Sequence, residues 1–131
     1  MSSGKTNTKV VISVPVGDLI DRITILEIKR EFINSIDQVK NITNELNALN
    51  LELEKSGLEV PNRLIDSMRE INKKIFLRME DLFPMTLSDP DYALVAKDTV
   101  DLNITRARIK REINLHSGSK LVEEKSYFVS G

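Results

Sequence analysis

From Ile25 to Leu53 the large apolar side chains return every three or four residues: Ile25, Ile28, Phe32, Ile36, Val39, Ile42, Leu46, Leu49 and Leu53. A mean step of roughly 3.5 residues is the period of a coiled-coil seam, narrower than the face of an ordinary globular helix. The spacing predicts one coiled-coil-like helix over 18–56, stopped by Gly57. At its normal rise such a helix runs roughly 55 Å, longer than a compact domain of 131 residues is wide. It would have to lie against other long elements or a second copy, and a homodimer through this helix is the expected assembly.

The rest of the chain reads as shorter pieces around that helix. Residues 1–17 form an extended arm, because "KVVISVPV" at 9–16 is β-branched and Pro15 is incompatible with a helix interior. Pro61 opens a second helix over 61–82, with Leu64, Met68, Ile71, Ile75, Met79 and Leu82 on one face. "FPMTLSDP" interrupts it, and Ser88 or Asp89 before Pro90 starts a third helix over 89–116. That helix has two apolar stripes, Ala93, Ala96, Val100, Ile104 and Ala107 on one and Val95, Leu102, Ile109 and Ile113 on the other. Gly118 would cap it, leaving a tail over 117–131. The expected fold is all-α: a single domain over 1–131, an antiparallel three-helix bundle or long helical hairpin with short extended termini.

Composition narrows the functional classes. Nineteen basic residues against twenty acidic give a net charge of −1, which offers no global attraction to nucleic acid or acidic membranes. With no cysteine, thiolate nucleophiles and Cys-based zinc sites are excluded. No apolar run spans a bilayer and no secretory leader is recognisable, so a cytoplasmic protein is expected. "SSGKT" at 2–6 lacks the upstream glycine and strand of a phosphate-binding loop. His116, at a helix end, suits a dipole role better than catalysis, and Met68 and Met79 at helical spacing read as core. No cofactor and no metal are expected.

The charges of "GDLIDRITILEIK" at 17–29 are the sharpest local feature. Turned by helical steps, Asp18, Asp21, Arg22 and Lys29 fall on the same arc as Ile25, Phe32 and Ile36, while Thr24, Glu27 and Glu31 fall opposite. Charges on a packing face need partners, since a buried unpaired charge costs several kcal/mol. They pair among themselves, as Asp18 and Arg22 do at i,i+4, or they line a polar pocket where Arg22 and Lys29 meet an anion. Glu123 and Glu124 of a folded-back tail are candidate partners. Asn103, Arg106, Lys110 and Asn114 form one polar stripe on the third helix, which is either solvated or turned toward Arg22 and Lys29.

Both ends carry a resemblance. "GDLIDRITILEIK" at 17–29 and "NITRARIKREIN…GSKLVEEKSY" at 103–127 are similar to a family of uncharacterised bacterial and phage-borne proteins. Its members start with a form of "GELIDKITILEIK" and end with a form of "ND-x-R-x-x-x-K-x-x-IN…GS-x-L-x-EEKSY". This chain departs from that pattern with Asp18 for Glu, Arg22 for Lys and Ile104 for the Asp after Asn103. The resemblance implies no established activity, a frequent setting beside surface-polysaccharide genes, and functional weight on Asp21, Arg22, Thr24, Glu27, Lys29, Asn103, Lys110, Asn114, Glu123, Glu124, Lys125 and Tyr127. With Arg106 from the helical stripe, the candidates for ligand binding or tail docking are Asp21, Arg22, Lys29, Asn103, Arg106, Lys110, Asn114, Glu123, Glu124, Lys125 and Tyr127.

The expected role is a non-catalytic binding or accessory protein for an anionic, sugar-linked ligand or a glycan-synthesis partner. A structural coiled-coil adaptor is the first alternative. A helical enzyme of chorismate-mutase layout is the second, weakened because the second half of the first helix holds only Lys40 and Lys55 as cations.

Overall fold

The apolar repeat builds two helices rather than one. In the computed structural model, which describes residues 8–117, α1 (Val16–Phe32) stops at Ile33, whose backbone is extended (φ −91°, ψ 135°). Helix α2 (Ile36–Ser56) begins after Ser35, whose Oγ accepts a hydrogen bond from the Gln38 backbone N–H at 3.4 Å. Ser-x-x-Gln is a capping-box pattern, and Asp37 in the first turn favours the positive end of the helix. The step from Phe32 to Ile36 keeps its four-residue spacing across the break, which is why the period hides it.

The three-residue link turns the chain back on itself. Arg22 pairs with Glu45 at 2.8 Å, and Leu46 is buried with Ile23 and Leu26, ringed by Leu19, Ile42, Leu49 and Leu53. The repeat thus closes within one chain as an antiparallel helical hairpin. With the helix halved, its length no longer calls for a second copy. Gly57, at φ 68° in the left-handed region, ends α2.

Two further helices complete the molecule, α3 (Asn62–Leu82) and α4 (Tyr92–His116). Helix α3 runs alongside α1 in the same direction, since Glu27 meets Arg69, Glu31 meets Lys73, and Phe32 stacks on Phe76 with ring centroids 4.9 Å apart. Helix α4 runs the opposite way: Asp21 meets Arg106, Asp18 meets Lys110 and Gly17 meets Asn114. Four helices therefore stand where three were expected, with alternating directions along the chain. The start of α4 lies three residues beyond the expected position, because Asp89 is used in the preceding turn, its Oδ2 accepting from the Thr86 N–H at 2.8 Å.

The main core lies between α1, α3 and α4, built from Val16, Ile20, Leu64, Met68, Ile71 and Ile113. Helix α2 packs against α1 alone among the helices, so α1 is covered by all three others and keeps little solvent face. Met79, expected in the core, is 43% exposed, and of the two stripes of α4 the one with Val100 and Ile104 faces outward. Residues 8–15 form neither helix nor strand, Pro15 having an extended backbone (φ −60°, ψ 149°), and there is no strand among the described residues. No described helix is long and apolar enough to cross a membrane.

Candidate functional site

The central position of α1 decides the fate of its charges. Asp21 is only 6% exposed, facing α3 and α4. Its Oδ1 accepts hydrogen bonds from Arg106 Nε and Asn72 Nδ2, both at 2.9 Å, and its Oδ2 accepts from Arg106 Nη2 at 2.5 Å. The two-pronged guanidinium contact matches the planar geometry of a carboxylate. Asn72 gives its second N–H to Thr24 Oγ1 at 2.9 Å, and that hydroxyl donates to the Asp21 carbonyl at 2.9 Å. Arg106 also donates from Nη1 to Asn103 Oδ1 at 3.3 Å. Three helices are thus joined through one carboxylate.

Electrostatics follow from this geometry. Burial pushes the Asp21 carboxyl up, but hydrogen bonds from Arg106 and Asn72 and the charges of Arg106 and Lys110 outweigh it and hold the group below its ordinary value. The hydrogen bonds to Asp21 raise the Arg106 guanidinium above its own. Both groups keep their charge throughout the neutral range. The pair is chemically a staple that fixes charge in place, and it is unsuited to passing a proton near neutrality.

Toward the start of α1 the same seam continues. Lys110 Nζ lies 2.8 Å from Asp18 Oδ1, and the Gly17 N–H donates to Asn114 Oδ1 at 2.7 Å. A Cβ on Gly17 would stand 2.5 Å from the Lys110 carbonyl oxygen and 2.9 Å from Asn114 Oδ1. The missing side chain is what lets α1 and α4 touch there.

Beyond Arg106, in the direction of the α1 C-terminus, lies a cleft of about 190 Å³ lined by Ile25, Ile28, Asn72, Ile75, Phe76, Met79 and Arg106. Its walls are apolar, and its polar edge is the Asn72–Arg106 end of the network. Phe76 also borders a wider, open depression with Lys29, Phe32, Ile33, Leu77 and Glu80. Lys29 has no ion-pair partner among the described residues.

The candidate residues are therefore divided. Asp21, Asn103, Arg106, Lys110 and Asn114 line up along the α1–α4 seam. Arg22 and Lys29 do not join them: Arg22 is exposed and paired with Glu45 of α2, and Lys29 is exposed beside the Phe32–Phe76 stack. The expected polar stripe of α4 faces Asp18 and Asp21 rather than two cations. Thr24, expected on the outer side, is completely buried, because α1 has neighbours on both arcs. Glu123, Glu124, Lys125 and Tyr127 lie outside the described residues. Asn72 was absent from the expected set, although its sequence signal is plain: it sits four residues after Met68 and three before Ile75, a polar residue on an apolar stripe. No group of three or more metal-ligating side chains gathers among the described residues.

Fold and site together define an all-helical protein whose central helix carries a buried carboxylate clamped by an arginine and an asparagine, beside an apolar cleft. The chain belongs to a family of unknown function, DUF6165, whose sequence model matches residues 8–130. No curated protein and no solved structure matches the chain.

Proposed function

We propose that this chain is a non-catalytic binding or accessory protein whose ligand combines an apolar group with an anion. The observation that carries this reading is the cleft itself. Apolar side chains from α1 and α3 surround a volume that accepts a six-membered ring, since a buried apolar cavity of about 150 Å³ holds benzene. The cleft adjoins a depression where the ammonium of Lys29 stands beside two stacked phenylalanines. A ring in the cleft would leave an attached phosphate or carboxylate within the compass of Lys29, while at the other end Arg106 keeps N–H donors on Nη1 and Nη2 beyond those given to Asn103 and Asp21. The resemblance to proteins encoded beside polysaccharide genes brings sugar phosphates and nucleotide sugars into the ligand class.

A thermal-shift series tests this reading, using phenyl phosphate, 4-phenylbutyrate, glucose 1-phosphate and UDP-glucose as anionic probes and benzyl alcohol as the uncharged one. A probe at a hundred times its Kd adds about 2.7 kcal/mol of stability, an upward shift on the order of 10 °C for a chain of this size. Met79→Trp, at a half-exposed position, should fill the cleft and abolish the shift. Lys29→Ala should weaken the anionic probes and leave benzyl alcohol unaffected. No shift with any probe, or a shift that survives Met79→Trp, overturns the proposal.

A further inference from the structure

Helix α4 carries apolar side chains on two faces, and the fold covers one of them. Val95 and Ile113 are buried, and Leu102 and Ile109 pack beside Ile113 in the main core. The other stripe, Ala93, Ala96, Val100, Ile104 and Ala107, leaves Val100 53% and Ile104 47% exposed in the middle of a 25-residue helix. A single exposed aliphatic residue is ordinary, but an apolar stripe at helical spacing is the mark of a packing face.

The edge of that stripe has an order of its own. Leu94, Lys97, Asp101, Arg108, Glu112 and Leu115 follow one another along one side of α4, within an arc of about 60° at helical steps, and all six are exposed. Reversed about the point between Ile104 and Thr105, Leu94 falls on Leu115, Lys97 on Glu112 and Asp101 on Arg108. Every charge thus falls on its opposite, and a leucine falls on a leucine at either end. Lys97 and Asp101 pair with each other at 2.6 Å, whereas Arg108 and Glu112 have no ion-pair partner among the described residues. Two helices packed antiparallel about a two-fold axis bring the same edge of each together, one reversed against the other. Parallel packing would set Asp101 on Asp101 and Arg108 on Arg108. The edge is therefore complementary to itself in the antiparallel arrangement.

We infer that the outer face of α4 is an interface to a second copy of this chain, the two α4 helices lying antiparallel about a two-fold axis beside Ile104 and Thr105. Asp101 then meets Arg108 of the second copy, Lys97 meets its Glu112, and the exposed Leu94 meets its Leu115. On the face itself the small Ala107 of one copy leaves room for Ile104 of the other. Charges that flank an apolar seam select the partner and its direction, and the use of the same patch by both copies closes the assembly at two. None of these residues lines the cleft between α1 and α3, and the inference is independent of it.

Sedimentation equilibrium of the full chain at low ionic strength tests this. The parent protein should be a dimer that dissociates on dilution through the micromolar range. Asp101→Arg should raise the dimer Kd at least about tenfold, because like charges then face each other twice, and Arg108→Asp should do the same. Both positions are exposed, so each variant should keep the parent's helical circular dichroism. Asp101→Arg and Arg108→Asp combined in one chain exchange the two signs, and association should return to the parent's strength. The two single variants, mixed, should form a heterodimer in which both cross-pairs attract. A chain that stays monomeric throughout the micromolar range overturns the inference and leaves the face to the chain's own tail or to a different protein. So does a dimer indifferent to Asp101→Arg, or a double variant that associates no more tightly than either single one.

Discussion

At Gly17 the sign of a substitution is decided by what a single methyl group meets. In an exposed helix interior, replacing glycine by alanine stabilises by roughly 0.5–1 kcal/mol, because the unfolded chain loses freedom. Here the new Cβ meets the Lys110 backbone oxygen at 2.5 Å, and a backbone cannot rotate aside as a flexible side chain does. Separating α1 from α4 would stretch the Gly17–Asn114 bond and disturb the neighbouring Asp18–Lys110 pair. Gly17→Ala should therefore cost about 1–3 kcal/mol and lower Tm by several degrees in a calorimetric scan; an unchanged or higher Tm would mean that the helices part more easily than their packing implies. The sequence made this position visible as the glycine opening an unusual motif, but not its reason, which is a contact across 97 residues. Asp21 shows the same limit. Its place on a packing face was legible from helical steps, whereas its partners Arg106 and Asn72 come from two other helices. Arg22 and Lys29 were misplaced because a helical wheel ranks directions around one axis and is silent about how many neighbours surround it.

At the scale of elements, the hairpin of α1 and α2 is the weak join. Helices α1, α3 and α4 share one core, but α2 reaches it only through the partly buried Leu53 and is otherwise held by a smaller cluster of Ile23, Leu26 and Leu46 and by surface pairs such as Arg22–Glu45, which are worth little in water. An element with one neighbour opens alone more readily than one with three. Ser35→Ala removes the cap that starts α2 and should cost about 1 kcal/mol; Leu46→Ala should cost about 2–4 kcal/mol by emptying the centre of the cluster. Native-state hydrogen exchange separates local from global effects: both substitutions should speed exchange in α2 while leaving the slowest amides of α3 nearly unchanged. Uniform acceleration in all four helices would make α2 part of one cooperative unit. Helices α3 and α4 were readable from sequence because apolar stripes and proline punctuation agree in both. The α1–α2 break was not, since Ile33–Asn34–Ser35 interrupts the backbone without interrupting the apolar count. Only Ser35 with Gln38, a local capping pair, marked it.

Across the whole molecule, the buried network makes stability depend on acid in a way that one residue isolates. Asp21 titrates below its ordinary value in the folded protein and at about 4 when unfolded. A carboxyl with a depressed folded pKa contributes stability that is present above the unfolded value and lost as pH falls through the folded one. Replacing it with asparagine leaves the Arg106 guanidinium largely covered and without its counter-charge, so Asp21→Asn should destabilise by about 3 kcal/mol at neutral pH. Many carboxylates share in acid unfolding, and the melting curve of the parent protein alone would not single this one out. The difference between parent and Asp21→Asn does. Measured by denaturant unfolding, that gap should be constant from about pH 8 to pH 5 and begin to narrow near pH 4, where the unfolded chain starts to bind the proton. It should approach its minimum once the folded carboxyl is itself protonated, because a neutral acid and an amide then present Arg106 with similar partners. A gap that stays constant down to pH 2.5 would show that the staple works through shape and hydrogen bonding alone. A gap that widens toward acid would mean that Asp21 binds its proton more readily folded than unfolded, which is incompatible with a guanidinium held against both of its oxygens.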